Sequence, residues 1–217
     1  MIGDLLPDFV VTEVAYDDPP EARLEPAEEA AVARAVDKRR REFTTVRHCA
    51  RTALARLGVP YRPLVPGLRG APSWPDGVVG SLTHCEGFRA AAVTRTGALA
   101  SLGIDAEPAL PLPEGVLESV ALPVEQQRLA GLAAGRPDTP WDRILFSAKE
   151  SVYKAWFPLT ELWLDFHEAE LDLSPDGTFT ARLLVPGPVV AGRRLDGFDG
   201  RWAVRDGLLA TAIAVRP

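Results

Sequence analysis

The stretch WDRILFSAKESVYKAWF, residues 141–157, holds two of the chain's three lysines, while the other 21 basic residues are all arginine. Lys149 and Lys154 flank Glu150. Lysine is a compact, mobile point charge and arginine a rigid planar fork, so the choice of lysine here carries information. Wound as a helix over 140–157, the stretch puts Arg143, Ser147, Glu150, Ser151 and Lys154 on one polar stripe. Leu145, Ala148, Val152 and Trp156 fall on the opposite, core-facing side. Lys149 lies about 100° round from Glu150 and must approach any shared ligand from the side. As a surface pair, Glu150 and Lys154 would contribute only about 0.3–0.5 kcal/mol. As two ammonium groups around the Glu150 carboxylate, Lys149 and Lys154 suit a metal-bound phosphate.

Working outward, the sharpest neighbouring feature is GIDAE, residues 103–107. Side chains two apart on a strand share a face, which sets Asp105 beside Glu107. Paired carboxylates repel unless a cation lies between them, and hard Mg²⁺ takes such oxygen ligands. Glu150 can supply a third. SLTHC (81–85) adds Ser81, Thr83 and His84 at a strand end, and GLRGAP (67–72) places Arg69 on a glycine-rich loop. There is no serine–histidine–acid spacing, no zinc pattern and no Walker loop. Acids for Mg²⁺, bases for phosphates and no covalent nucleophile together point to phosphoryl-type transfer, where positioning and charge neutralisation do most of the catalysis.

The 217 residues suit one globular unit or two small ones packed together, and 47% hydrophobic residues suffice for a core. A net charge of −6 argues against general nucleic-acid affinity. Residues 34–56 nevertheless carry eight basic side chains against two acidic ones, a patch that suits an anion. Cys49 and Cys85 form neither a disulfide framework nor a zinc set and read as small buried groups. No apolar run reaches the ~20 residues of a membrane helix, and the opening MIGDLLPDFV lacks a basic start before an apolar run. The expectation is a cytoplasmic protein with no membrane or nucleic-acid partner.

Periodicity predicts a strand over 8–16, helix over 27–57 in two pieces, and a long shaped loop over 58–77. Strands follow over 78–84, 88–94 and 98–107, then short helices over 114–121 and 124–134. After the helix at 140–157, EAELDLS, FTARLLV, RWAVRD and LLATAIAV read as strands. Phe43, Val46, Cys49, Ala50 and Leu54 recur at helical spacing and should face the core. The order suggests an α+β fold of two similar halves, 1–100 and 101–217, without a residue-level repeat.

GIDAE, followed some 40 residues later by FSAKESVYKAWF, resembles the paired signature of the surfactin/enterobactin-type 4′-phosphopantetheinyl transferases. RRREFTTVRHCAR, GLRGAPSWPDG and GSLTHC precede it in the family's order, and the wording is similar to the actinobacterial branch. The resemblance runs from about residue 38 to 166. It implies two pseudo-symmetric α+β halves with the site in the cleft between them. It also implies Mg²⁺-dependent transfer (Mn²⁺ as a substitute) of phosphopantetheine from coenzyme A to a serine of an acyl or peptidyl carrier protein, a holo-carrier synthase activity releasing 3′,5′-ADP. Fatty-acid, polyketide and nonribosomal-peptide pathways use such carriers, and the family is typically monomeric. By the same resemblance, Asp105, Glu107 and Glu150 bind the metal and Glu150 acts as base. Lys149 and Lys154 meet phosphates, and Lys154 takes part in catalysis. His84, with Ser81 and Thr83 beside it, lies near the 3′-phosphate. Arg39 and Arg47 engage the nucleotide, Arg69 is the loop's basic group, and Tyr153 and Trp163 border the pantetheine channel.

Overall fold

The computed structural model describes residues 1–60 and 62–217. Two antiparallel sheets, each backed by a 20-residue helix, form the body. The first sheet is built from β1 (Val11–Ala15), β2 (Val78–Cys85) and β3 (Phe88–Arg95) in the order β1-β3-β2. Against it lies α2 (Asp37–Arg56), preceded by the short α1 (Pro26–Glu29). The second sheet begins with β4 (Ser101–Pro108). After α3 (Val116–Val120), α4 (Pro123–Gly135) and α5 (Trp141–Thr160) come β5 (Ala169–Leu173), β6 (Thr178–Leu183), the two-residue pair β7 (Val189–Val190) and β8 (Arg193–Arg194), β9 (Gly197–Arg205) and β10 (Leu208–Val215). Its order is β4-β10-β9-β6-β5.

Strand alternation divides the core into three. Ala91 and Val93 of β3 turn toward α2, meeting Cys49, Ala50, Ala53 and Leu54. Leu209, Ile213 and Val215 of β10 turn toward α5, meeting Ile144, Ala148 and Val152. The opposite faces meet each other: Phe88, Ala90 and Ala92 pack against Leu102, Ile104, Ala210 and Ala212. A helix–sheet layer from each half is thus closed by a shared middle layer, and small alanines let the sheets approach.

The edge strands β2 and β4 are stitched by side chains. Ser81 Oγ accepts the Ile104 N–H at 3.1 Å and Thr83 Oγ1 accepts the Ala106 N–H at 3.0 Å. These hydroxyls satisfy buried main-chain donors that would otherwise be costly to leave unpaired.

The α+β class is as expected, with the boundaries of several elements shifted. The region read as 27–57 separates into α1, a 3₁₀ turn at Ala30–Val32 and α2. The helix expected to end at 157 continues past Pro158 to Thr160, and Glu161 closes it in the left-handed region with φ 55°. The pair β7–β8 was not anticipated. The expected loop over 58–77 includes residue 61, outside the described residues; its later part is a narrow hairpin with Pro66 opposite Pro72. Both cysteines are buried thiols.

Candidate active site

Helix α5 crosses β4 in a matched register. Ser101 Oγ donates to the Ala155 carbonyl at 2.6 Å, and Gly103 lies against the Ser151 carbonyl. Asp105 accepts from Ser147 Oγ at 2.8 Å, and Glu107 accepts from Arg143 Nη1 at 3.0 Å. Two strand residues rise about 6.7 Å and four helical residues about 6 Å, so each step along β4 meets one step back along α5. This match keeps Asp105 and Glu107 on one strand face, as their spacing predicts. It also shows why the polar stripe of α5 is not a solvated face. Ser147 and Ser151 are fully buried and bond Thr211 of β10 at 3.0 and 2.7 Å.

Beside this crossing, a cleft of about 570 Å³ is lined by Arg39, Arg47, Arg69, Ser81, Thr83, His84, Asp105, Glu150, Tyr153 and Lys154, among others. Helix α2 supplies Arg39 and Arg47, β2 supplies Ser81 to His84, and α5 supplies Glu150 to Lys154. Arg47 is buried, its guanidinium carbon 3.7 Å from the centre of the Phe43 ring and its Nε donating to the Leu64 carbonyl at 3.3 Å. His84 Nε2 accepts from Arg39, which leaves Nδ1–H facing Glu42 at 3.4 Å. Burial, then the positive charge of Arg39 and Lys154, pulls the His84 pKa down to about 4. Arg69 sits at the hairpin tip in the left-handed region, φ 53°, with its guanidinium carbon 5.2 Å from the Trp163 ring centre. Ser81 and Thr83 reach the cleft, but their hydroxyls are already engaged in the β2–β4 seam.

Lys149 is a correction. It is 3% exposed and its ammonium is held by the Glu125 carboxylate at 2.9 Å and by the carbonyls of Phe166 and Ala169 at 2.6 and 2.9 Å. Three N–H donors meet three acceptors, so none is left for a phosphate. Burial lowers its pKa and the Glu125 charge raises it again. Lys149 instead lines a second cavity of about 260 Å³ behind Glu150, with Tyr153, Trp163 and Phe166. The rings of Tyr153 and Trp163 lie 5.1 Å apart there, and the buried Tyr153 hydroxyl has no hydrogen-bond partner among the described residues.

Glu125 was missed by sequence reasoning, and so was its counterpart, Glu28. Both are buried, and each lies two residues after a proline that opens a helix. Glu28 takes Arg51 of α2 at 3.2 Å and the Leu64 N–H at 2.8 Å. Glu125 takes Lys149 of α5 and the Leu171 N–H at 2.7 Å. The signal was present in the sequence as EPAEEA (25–30) and LPVEQQ (122–127), but a two-residue match is legible only once the contacts are known.

Asp105 accepts from Thr83 at 3.1 Å, from Ser147 and from Lys154 Nζ at 2.7 Å, and Lys154 also reaches the Ile104 carbonyl at 3.1 Å. Glu107 is raised in pKa by burial and by Asp105, against the pull of Arg143. The Glu150 carboxylate makes no hydrogen bond or ion pair with a described residue; burial raises its pKa, Lys154 lowers it, and Asp105 and Glu107 raise it. Asp105, Glu107 and Glu150 therefore feel one another's charge, and carboxylate oxygens are the ligand type that Mg²⁺ or Mn²⁺ takes. Among the described residues no three His, Cys, Asp or Glu side chains come together closely enough to hold a metal ion. Lys154 and Arg143 hold two of the acids in this arrangement.

The description 4′-phosphopantetheinyl transferase N-terminal domain belongs to a family model matching residues 27–94. A second, 4′-phosphopantetheinyl transferase superfamily, matches residues 101–205. The chain is 68% identical over 219 residues to 4′-phosphopantetheinyl transferase Svp of Streptomyces mobaraensis, covering 99% of this chain and 89% of that one. It is 48% identical over 225 residues to 4′-phosphopantetheinyl transferase PptT of Mycobacterium tuberculosis, covering 99% and 98%. A weaker likeness, 35% identity over 122 residues and about half of each chain, links it to enterobactin synthase component D of Escherichia coli. With both halves matched and relatives aligned along nearly its whole length, the chain belongs to the 4′-phosphopantetheinyl transferase superfamily.

Proposed function

We propose that this phosphopantetheinyl transferase carries the 4′-phosphopantetheine arm of coenzyme A to a serine of an apo acyl or peptidyl carrier protein. The observation that supports it best is the single cleft in which Arg39, Arg47, Arg69, His84 and Lys154 face Asp105 and Glu150. In this reading, residues 1–100 engage the nucleotide and residues 101–217 supply the acids and the catalytic helix. Holo-acyl-carrier-protein synthase activity is one instance of it, and fatty-acid, polyketide and nonribosomal-peptide carriers are the substrate classes. The enzyme acts as a cytoplasmic monomer; no described helix is long and apolar enough to cross a membrane.

Asp105, Glu107 and Glu150 would hold Mg²⁺, or Mn²⁺ in its place. Such an ion supplies charge neutralisation at a pyrophosphate and favours the ionised form of a nearby hydroxyl. Arg39, Arg47 and Arg69 orient the nucleotide and its phosphates, with His84 near the 3′-phosphate. Ser81 and Thr83 hold the floor of that pocket by closing the seam. Lys154 turns from Asp105 to the pyrophosphate and neutralises the leaving group.

Glu150 accepts the proton of the carrier serine, and needs only modest proton affinity to do so because a nearby cation would favour the ionised serine. The serine oxygen bonds to the β-phosphorus as the bond to the bridging oxygen breaks, and 3′,5′-ADP departs with that electron pair. Tyr153 and Trp163 flank the pantetheine arm.

Intact-mass measurement of an apo carrier incubated with the enzyme, coenzyme A and Mg²⁺ tests this. A gain of one phosphopantetheine, lost on chelation and restored by Mg²⁺ or Mn²⁺, is expected. No gain on any of the three carrier classes would refute it.

A further inference from the structure

Glu28 is wholly buried, yet it lies outside the residues that line the cleft. Its carboxylate accepts the Glu25 N–H at 3.0 Å, the Leu64 N–H at 2.8 Å and Arg51 Nη1 at 3.2 Å. Leu64 is also fully buried, and its carbonyl accepts Arg47 Nε at 3.3 Å. One residue is therefore gripped at both ends, by Glu28 at its N–H and by Arg47 at its carbonyl.

Leu64 is the root of the hairpin. Immediately beyond it, the Ser73 N–H bonds the Val65 carbonyl at 3.1 Å and the Gly67 N–H bonds the Ala71 carbonyl at 2.7 Å. The turn between them, Leu68 to Gly70, lines the cleft and carries Arg69. Trp74, at the hairpin's end, lies so close over Gly80 that a Cβ there would fall 2.6 Å from its ring, which fixes the other root on β2.

The second half repeats the device. Glu125 accepts its own helix-entry N–H from Leu122 at 2.6 Å, the Leu171 N–H at 2.7 Å and the Lys149 ammonium at 2.9 Å. In both halves a buried acid two residues after a proline ties the long helix to the segment that follows it. A buried carboxylate is costly unless every oxygen is engaged, so its recurrence in the same role marks a working part of the fold.

We propose that Glu28 is a positioning residue for coenzyme A: through Leu64 it sets both the Arg47 guanidinium and the hairpin that presents Arg69. The inference rests on the reading of the larger cavity as the coenzyme A cleft. Glu28 touches no substrate; it fixes the peptide on which two substrate-facing arginines depend.

The test compares wild type, Arg47→Ala, Glu28→Ala and Glu28→Gln by coenzyme A calorimetry and by steady-state transfer to a carrier, with the folded fraction measured for each. Glu28→Ala should raise KM for coenzyme A about tenfold while kcat and the carrier KM stay within about twofold. Glu28→Gln keeps one acceptor oxygen of two and should fall between, at about threefold. A Glu28→Ala enzyme with the wild-type KM, or one that loses kcat alone in proportion to its unfolded fraction, overturns the inference. If Glu28→Ala does not fold, Glu28→Gln decides by itself: a raised KM with unchanged kcat supports the inference and a wild-type KM ends it. Unchanged coenzyme A binding in Arg47→Ala would defeat the reading of the cleft. Weakened binding there with none in the Glu28 variants would defeat only the positioning role.

Discussion

Gly103 of β4 and Ser151 of α5 touch backbone to backbone: a Cβ at position 103 would overlap the Ser151 carbonyl oxygen and sit 2.9 Å from the Ala155 nitrogen. The helix bearing Glu150 can lie on the strand bearing Asp105 only because residue 103 has no side chain. Gly103→Ala must push α5 off β4, and overpacking of this kind costs about 1–3 kcal/mol or more. A melting temperature lower by about 3–10 °C is expected for a chain of this size, with transfer lost at temperatures where the variant is still folded. An unchanged melting temperature and rate would show that the close approach is not obligatory.

Glu150→Gln removes the proposed proton acceptor while keeping size and shape. Transfer should fall at least a hundredfold with circular dichroism and melting temperature unchanged, since general-base groups contribute about 10²–10⁴ in rate. Near-normal turnover would remove Glu150 as the base and leave it as a ligand only.

Lys149 and Glu125 make a separable prediction. Breaking a buried pair from one side costs about 3–5 kcal/mol, whereas replacing both partners is often close to neutral. Lys149→Met should therefore unfold at a much lower urea concentration, and Lys149→Met combined with Glu125→Gln should recover most of the loss along with transfer. A phosphate-binding lysine would behave differently: the double variant would regain stability and stay inactive.

His84 gives a pH signature. The imidazole of an unfolded chain protonates around pH 6.5, whereas in the fold His84 stays neutral down to about 4. Below pH 6.5 the unfolded state thus binds the extra proton, and the stability present above that pH is lost as pH falls toward 4, by up to about 3 kcal/mol. His84→Gln keeps a donor for Glu42 and an acceptor for Arg39, so its stability between pH 7 and 4.5 should fall less steeply than the wild type's. Parallel curves from denaturant titrations at the two pH values would contradict this.

The thiols should be inert in the native state. Burial pushes both Cys49 and Cys85 up to about 12. An alkylating reagent at pH 8 should label neither within minutes and both after denaturation. Rapid native labelling of either would show that its cover opens readily.

The parts of the site that the sequence announced were those with periodic spacing. Asp105 and Glu107 share a face because strands repeat every two residues, and Phe43, Val46 and Leu54 are buried because helices repeat near every four. The direction of Lys149 was not legible. Its 100° offset from Glu150 is the same whether it wraps toward the cleft or away, and only the position of Glu125 on α4 decides. Ser147 and Ser151 were placed on the polar stripe, but their burial was not legible, because it depends on hydrogen bonds to Thr211, 64 and 60 residues away. The β2–β4 seam was also hidden, because its bonds run from main-chain N–H groups to hydroxyls and leave no pairing pattern in the sequence.

That seam and the shared middle layer have a further consequence. Cut within the turn that follows Arg95, the chain would yield two pieces with matching sticky faces: Phe88, Ala90 and Ala92 on one, Leu102, Ile104 and Ala210 on the other. Each piece keeps its own long helix on its own sheet, yet Arg47 and Glu150 would be on different molecules. Complementation between the fragments, with transfer returning only when the two reassemble, would turn the seam into a reporter of association.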